Sequence, residues 1–208
     1  MASLHTRLIR VFLCLLALVG PQAASATDYA VMTTSLGRLV FKLNPDVAPR
    51  AVERFKQLVR ERRYDGVTVY RLSPGLFAQA GIGYDEAMAE PHIGPEPTPA
   101  PHNVRGALGF ARQDLADAGS GTTEIYWCLS DIPALDKGGF TTFAQLVSGF
   151  DVLDKFDKIG VAENFRYWDG VKWAAEGTSG AFPIPWHAPD AAIHIISVRL
   201  YSRRHNWR

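Results

Sequence analysis

The sequence predicts a mainly β chain, an antiparallel barrel or sandwich with helices packed at its ends. Three observations carry this. Short apolar or alternating runs of strand length recur along most of the chain. Only two stretches repeat their apolar residues at helical spacing. No strand–helix–strand rhythm of the kind that builds a parallel sheet recurs.

The opening, "MASLHTRLIRVFLCLLALVGPQAASA", precedes that domain. It has Arg7 and Arg10 and no acidic residue, then an apolar run from Val11 to Val19, then Ala24-Ser25-Ala26. This is the three-part pattern of a secretory signal, with cleavage expected after Ala26. The run is shorter than the ~20 residues a bilayer span needs, which argues against a membrane anchor. Cys14 follows Val-Phe-Leu and lacks the small residues of a lipidation site. Removing residues 1–26 from the 208 leaves 182, enough for one domain, 27–208, with one sizeable core. Arg7 and Arg10 leave with the signal, so the formal charge falls from +1 to −1. A near-neutral chain has no global pull toward nucleic acid. Cys128 alone remains of the 2 cysteines, so no internal disulfide is expected. No second long apolar stretch follows, and the mature chain is expected to be soluble.

"YAVMTTSLGRLVFKLN" (29–44) alternates like a hairpin with its turn at Leu36-Gly37. "APRAVERFKQLVRERR" follows, with Pro49 suited to a first helical turn. Val52, Phe55, Leu58 and Val59 form its apolar stripe, and charges fill the other face. "GVTVYRLSPGLFAQAG" (66–81) reads as two short strands joined at Pro74-Gly75. Two residues there do not fit a plain core hairpin. Arg71 falls on the alternating face of Val67 and Val69, and Gln79 lies past the turn. Five prolines between Pro91 and Pro101 then exclude a central strand or helix and predict an extended, solvated loop.

"GALGFAR" (106–112), "EIYWCLS" (124–130) and "FTTFAQLV" (140–147) are strand-like, and "GFDVLDKFDKI" (149–159) has helical spacing. Residues 160–190 read as an irregular insertion rich in Gly, Pro and Trp. "AAIHIISVRLY" (191–201) closes with a strand, and Arg203, Arg204 and Arg208 form a basic tail. The 6 histidines lack zinc-ligand spacing. No nucleophile elbow, Walker loop or dinucleotide fingerprint occurs.

"YDGVTVYRLSPGLFAQAG" resembles the cyclophilin-type peptidyl-prolyl cis-trans isomerase motif, in which an aromatic, a His or similar residue and Arg precede a Pro-Gly turn and a Gln. "APRAVERF", "VRGALGFAR", "LVSGFDVLDKF" and the last strand are similar to the family's segments in the same order. The resemblance covers roughly 30–159 and 191–201 and leaves 160–190 unmatched. It implies a closed eight-stranded antiparallel barrel capped by two α-helices, with a substrate groove on the outside. Arg71 would then face that groove, with the aliphatic face it shares as the groove wall.

The family's chemistry suits these residues. Rotation about an X–Pro amide faces a barrier of ~20 kcal/mol. The twisted transition state has a pyramidal prolyl nitrogen with a localised lone pair. A cationic donor aimed there binds that state better than the planar one. Arg71 is the implied catalytic donor, and Gln79 would hold its guanidinium or bond the substrate backbone. Leu76, Phe77, Ala111, Glu124, Tyr126, Leu135 and Phe140 are the implied substrate-binding residues, although on residue type alone the apolar ones would equally be core. No metal or cofactor is implied. Proline-containing unfolded or folding polypeptides are the expected partners, in a bacterial periplasm, with the chain a monomer. Several positions depart from the family. Leu76 replaces Phe, Glu124 stands for Gln, Ala134 stands for Trp or another aromatic, Ala80 replaces a Gly, and Tyr126 adds a hydroxyl. Glu124 either pairs with Arg71 and quenches it, or anchors it. Two rivals to an isomerase are a proline-peptide-binding or chaperone module with little turnover, and an envelope-binding platform of Trp168, Trp173 and Trp186. A local hydrophobic cluster that fixes the insertion on the barrel explains those Trp more simply.

Overall fold

A computed structural model describes residues 28–96, 102–114, 116–162, 166–168, 173–175, 188–189 and 191–202. The expected signal, the basic tail and Trp186 lie outside these.

The first hairpin is β1 (Tyr29–Thr34) and β2 (Gly37–Leu43), with Val31 opposite Val40. Its turn is closed by Thr34, whose hydroxyl accepts from the Leu36 and Gly37 N–H groups and donates to the Gly37 carbonyl. Residue 37 must be glycine: its φ is +143°, and a Cβ there would lie 2.7 Å from Val152 Cγ2.

Helix α1 (Pro49–Arg60) buries Ala51, Val52, Phe55, Leu58 and Val59, the predicted stripe plus Ala51. Ala48 precedes it and has no side chain that caps. Glu96 of the proline-rich segment does so instead. Its carboxylate accepts from the Ala51 N–H at 2.7 Å and the Arg50 N–H at 3.3 Å. A carboxylate is favoured where helix N–H groups lack partners. Arg50 also donates to the Pro95 carbonyl at 2.6 Å, and the Ile93 and Gly94 N–H groups bond Gly121 and Gly119. The segment expected to be a solvated loop is thus anchored along 93–96.

The chain continues through β3 (Val69–Ser73), β4 (Phe77–Ala80), the one-turn helix α2 (Tyr84–Ala89), β5 (Ala107–Arg112) and β6 (Gly121–Cys128). Then come the short α3 (Pro133–Lys137), β7 (Thr142–Ser148) and α4 (Phe150–Phe156). Four helices therefore appear among the described residues, two more than expected. Both additions are too short to show helical periodicity in sequence. The insertion is not wholly irregular. Its described pieces pair as β8 (Val161–Ala162) with β11 (Ala188–Pro189), and β9 (Arg166–Trp168) with β10 (Trp173–Ala175). Trp168 and Trp173 are direct partners in that register. β12 (Ile195–Tyr201) is the last strand.

Eight strands form one antiparallel sheet in the order β12-β1-β2-β7-β5-β6-β4-β3. It curls into a half-barrel whose edge strands, β12 and β3, share no full ladder. They meet through a bridge between Thr68 and His194 and through backbone bonds among Gly66, Val67, Val69, Ile193 and Ile195. The expected closure is therefore partial. Asp65 fastens the same seam by accepting from both terminal nitrogens of Arg199 at 2.8 and 2.9 Å.

The sheet has two apolar sides. The interior holds Phe41, Phe55, Leu72, Leu108, Trp127 and Phe143 among others. A separate cluster of Phe77, Ala107, Tyr126, Cys128, Ile132 and Leu135 sits outside, with Ala111 and Phe140 packed against it. Alternation along β6 sends Ile125 and Trp127 inward and Tyr126 and Cys128 outward.

Candidate active site

The outer cluster is the floor of the candidate site, and a β-bulge delivers Arg71 to its edge. Val69 pairs with Ala80 and Arg71 with Gln79, so Tyr70 is an extra residue in β3. A bulge inserts one residue and re-aims those that follow. Strict alternation would put Arg71 on the face of Val67 and Val69, as the sequence reading has it. Instead Val69 is fully buried in the interior and Val67 packs against that core. Those valines are barrel core, not groove wall. Leu72, one residue past Arg71, is also interior.

Registers then line up one row across five strands: Arg71, Gln79, Tyr126, Gly109 and Thr142. Gly109 leaves room for its neighbour, because a Cβ there would lie 2.6 Å from the Tyr126 hydroxyl. Arg71 donates from Nη1 to Gln79 Oε1 at 3.1 Å, and its guanidinium lies 4.8 Å from the Phe77 ring centroid. Burial pushes the Arg71 guanidinium down to about 10, with the neighbouring Tyr70 acting in the opposite direction. It stays cationic at neutral pH. The Phe77, Tyr126 and Phe140 rings meet edge to face, Tyr126 being 6.4 Å from Phe77 and 6.1 Å from Phe140. Arg112 covers the outer side of the Phe140 ring at 4.5 Å.

Glu124 is buried and makes no ion pair with Arg71 among the described residues. It accepts a short hydrogen bond from the Tyr70 hydroxyl, which in turn accepts from Gln79 Nε2 at 2.6 Å. Burial pushes the Glu124 carboxyl up. The Tyr70 bond and the backbone N–H dipoles of Gly83 and Ile82 oppose this without cancelling it. Of the two roles left open for Glu124, direct pairing with Arg71 is not the arrangement found.

Of the predicted residues, Arg71, Gln79, Phe77, Ala111, Tyr126, Leu135 and Phe140 gather here. Glu124 lies beneath them as a partner of Tyr70. Leu76 is exposed at the β3–β4 turn and is not part of the cluster. Ala134 is exposed on α3 beside buried Leu135. Two residues escaped the sequence reading. Tyr70 stood inside the quoted motif, but only the bulge turns it toward Gln79. Asn103 gave no signal at all, yet it is 1% exposed and accepts from the Tyr126 hydroxyl at 2.5 Å. The buried Cys128 is inert as a nucleophile, since burial pushes its thiol up to about 12. Among the described residues no three His, Cys, Asp or Glu side chains are grouped to hold a metal, and no helix is long and apolar enough to cross a membrane.

A curled antiparallel barrel that presents an arginine–glutamine pair beside an aromatic floor on its outer wall has the architecture of a prolyl isomerase. The chain belongs to the cyclophilin-type peptidyl-prolyl cis-trans isomerases: the profile of the family described as "Cyclophilin type peptidyl-prolyl cis-trans isomerase/CLD" matches residues 29–172. It is 34% identical over 160 residues to a "Probable peptidyl-prolyl cis-trans isomerase" of Brucella suis, covering 69% of this chain and 80% of that protein. It is 29% identical to "Peptidyl-prolyl cis-trans isomerase A" of Dickeya dadantii, over 66% of this chain and 75% of that one. The fold is that of a cyclophilin-type isomerase of Cryptosporidium parvum, with a TM-score of 0.68 at 18% identity, over 86% of this chain and 99% of the other. The chain is a peptidyl-prolyl cis-trans isomerase.

Proposed function

We propose that this enzyme rotates X–Pro bonds in folding exported polypeptides, and that Arg71 supplies the transition-state stabilisation. One observation carries the reading. A cationic guanidinium stands at the edge of an aromatic floor, desolvated, with the neutral amide oxygen of Gln79 accepting from its Nη1. Its charge lies beside the seat where the prolyl nitrogen would be placed. The Phe77, Tyr126 and Phe140 rings offer an apolar seat of the kind a pyrrolidine ring needs. A structural neighbour from Cryptosporidium parvum was solved in the presence of the dipeptide Ala-Pro, at a TM-score of 0.61. That supports a substrate of the same chemistry here. The signal-like opening supports export to a periplasm.

A charge-assisted hydrogen bond contributes roughly 1.5–3 kcal/mol, or about ten- to a hundredfold in rate. Arg71→Ala should lower kcat/KM by that factor in an NMR-exchange assay on a proline peptide. Arg71→Lys should recover little, because a point charge lacks the fork that Gln79 holds. Thermal melts should fall only modestly, since the side chain lies outside the core and its loss removes the hydrogen bond to Gln79. A folded Arg71→Ala protein with full activity would remove the catalytic assignment and leave a binding role.

A further inference from the structure

We propose that Glu124 and Tyr70 are positioning residues: they set the direction of the hydrogen-bond chain that ends on Arg71, and so hold the guanidinium in its working orientation. This rests on Arg71 being the catalytic group. The Tyr70 hydroxyl has one proton, and it goes to Glu124 Oε2. Its oxygen is then left to accept from Gln79 Nε2 at 2.6 Å. That choice turns Gln79 Oε1 toward Arg71 Nη1, at 3.1 Å. Each link depends on the one before it.

An ionised carboxylate only accepts, so it forces this direction. A neutral acid or amide at 124 can donate instead. The Tyr70 proton would then turn to Gln79, the amide would rotate, and its NH₂ would face the guanidinium. Two donors facing each other break the Gln79–Arg71 bond. The charge at 124 thus orients an amide two hydrogen bonds away without touching Arg71.

The arrangement is built rather than incidental. Glu124 is 4% exposed and Gln79 8%. Backbone closes over the carboxylate at Gly81, where a Cβ would lie 2.0 Å from Glu124 Oε1. The bulge that turns Arg71 outward also brings Tyr70 to the same side of the sheet.

Among the described residues, the other charged and titratable groups around Glu124 are few. β3 supplies Tyr70, with Arg71 one amide further. Tyr64, after α1, donates to the Thr123 carbonyl at 3.0 Å. Arg54 of α1 donates to the Thr122 carbonyl at 3.2 Å, and Arg54 and Arg63 both hold Glu90. Burial keeps both tyrosines well above their ordinary range, and the Arg54 hydrogen bond keeps Glu90 below its own. Glu124 is shifted the other way, toward neutral pH.

The test is kcat/KM between pH 5 and 8, read by NMR exchange on an uncharged Ala-Pro peptide. The proteins are wild type, Glu124→Gln, Tyr70→Phe, the double variant and Arg71→Ala, with thermal melts at each pH to confirm folding. Wild-type activity should fall toward acid. Glu124→Gln should be flat across the range and about two- to tenfold below the wild-type plateau. Tyr70→Phe should behave alike, and the double variant should be no slower than the slower single. The inference is overturned if Glu124→Gln matches the wild-type plateau, if its acid limb is unchanged, or if the two effects add. If Arg71→Ala is impaired while Glu124→Gln keeps the wild-type rate and profile, the positioning role alone fails. If Arg71→Ala is fully active, the catalytic reading falls and this one with it.

Discussion

Tyr126→Phe deletes one oxygen and measures the network beneath the aromatic floor. The Tyr126 hydroxyl donates to Asn103 Oδ1 at 2.5 Å, and both residues are almost fully buried. Asn103 Nδ2 donates to Asp136 at 2.8 Å and to the Phe140 carbonyl at 3.1 Å. The Asn103 carbonyl accepts from the Ile132 N–H at 2.8 Å. One side chain and its backbone thus tie β6 to α3 and to the loop that carries Phe140. Without the hydroxyl, Asn103 Oδ1 keeps only the weak Cys128 thiol, 4.0 Å away. A buried acceptor that loses its partner costs roughly 1–3 kcal/mol. At ~2–4 °C per kcal/mol for a chain of this size, melting should fall by about 2–12 °C. The Arg71 chain does not pass through Asn103. KM for an X–Pro peptide should therefore rise more than kcat falls. Asn103→Ala should cost more, and adding Tyr126→Phe to it should cost little further, because the two remove one shared bond. Calorimetric melts and saturation kinetics of the three variants decide this. A Tyr126→Phe protein that melts with the wild type and keeps its KM would show that the floor does not depend on this bond.

Gly109→Ala should displace the Tyr126 ring, since the new Cβ would meet the hydroxyl at 2.6 Å and the ring carbon Cζ at 2.7 Å. Peptide affinity should fall several-fold, and a shifted Tyr126 ring signal by NMR would report the cause. Asp65 is held below the usual carboxylate range, first by its hydrogen bond from Arg199. A folded pKa below the unfolded one, ~3.9, gives stability that is full above that value and lost as pH falls through the folded one. The melting gap between wild type and Asp65→Asn should therefore narrow from pH 5 to pH 2, and a constant gap would rule out the ion pair as its source. Export predicts a mature chain beginning at Thr27, checked by N-terminal sequencing of protein from the native compartment. Retention of Arg7 in that material would refute cleavage.

Much of the barrel was legible in the sequence because its strands carry regular apolar runs. The first hairpin, α1 and α4 fall where alternation and helical spacing place them. The side on which Arg71 points was not legible from alternation, and only the motif resemblance turned it toward the groove. Period-two reasoning assigns faces only while the register is unbroken, and the Tyr70 bulge breaks it immediately after Val69. The motif placed Arg71 beside Gln79 and facing the outer groove, as found, but took the face of Val67 and Val69, which is barrel core, for the groove wall. The Glu96 cap was hidden for a different reason. Its partners, Arg50 and Ala51, lie some 45 residues earlier, and no local pattern links a proline-rich loop to a helix that has already ended. Asn103 was hidden likewise, because its role exists only once β6 and α3 are brought together over it.

The choice of groups around Arg71 follows one electrostatic requirement. A guanidinium meant to meet a developing lone pair must be fixed, dry and still charged. Drying it works against the charge, and burial does lower its pKa, but only to about 10. A carboxylate in direct contact would restore the charge and fix the side chain. It would also satisfy the fork with a stronger acceptor than a prolyl nitrogen, and leave less to give the transition state. Gln79 avoids this, because a neutral carbonyl orients the fork without neutralising it. An amide has its own ambiguity, since either end can face the guanidinium. Only a group of fixed polarity further along removes it. Glu124 occupies that place, separated from Arg71 by Tyr70 and Gln79, so that its charge selects the orientation of the amide without contacting the arginine.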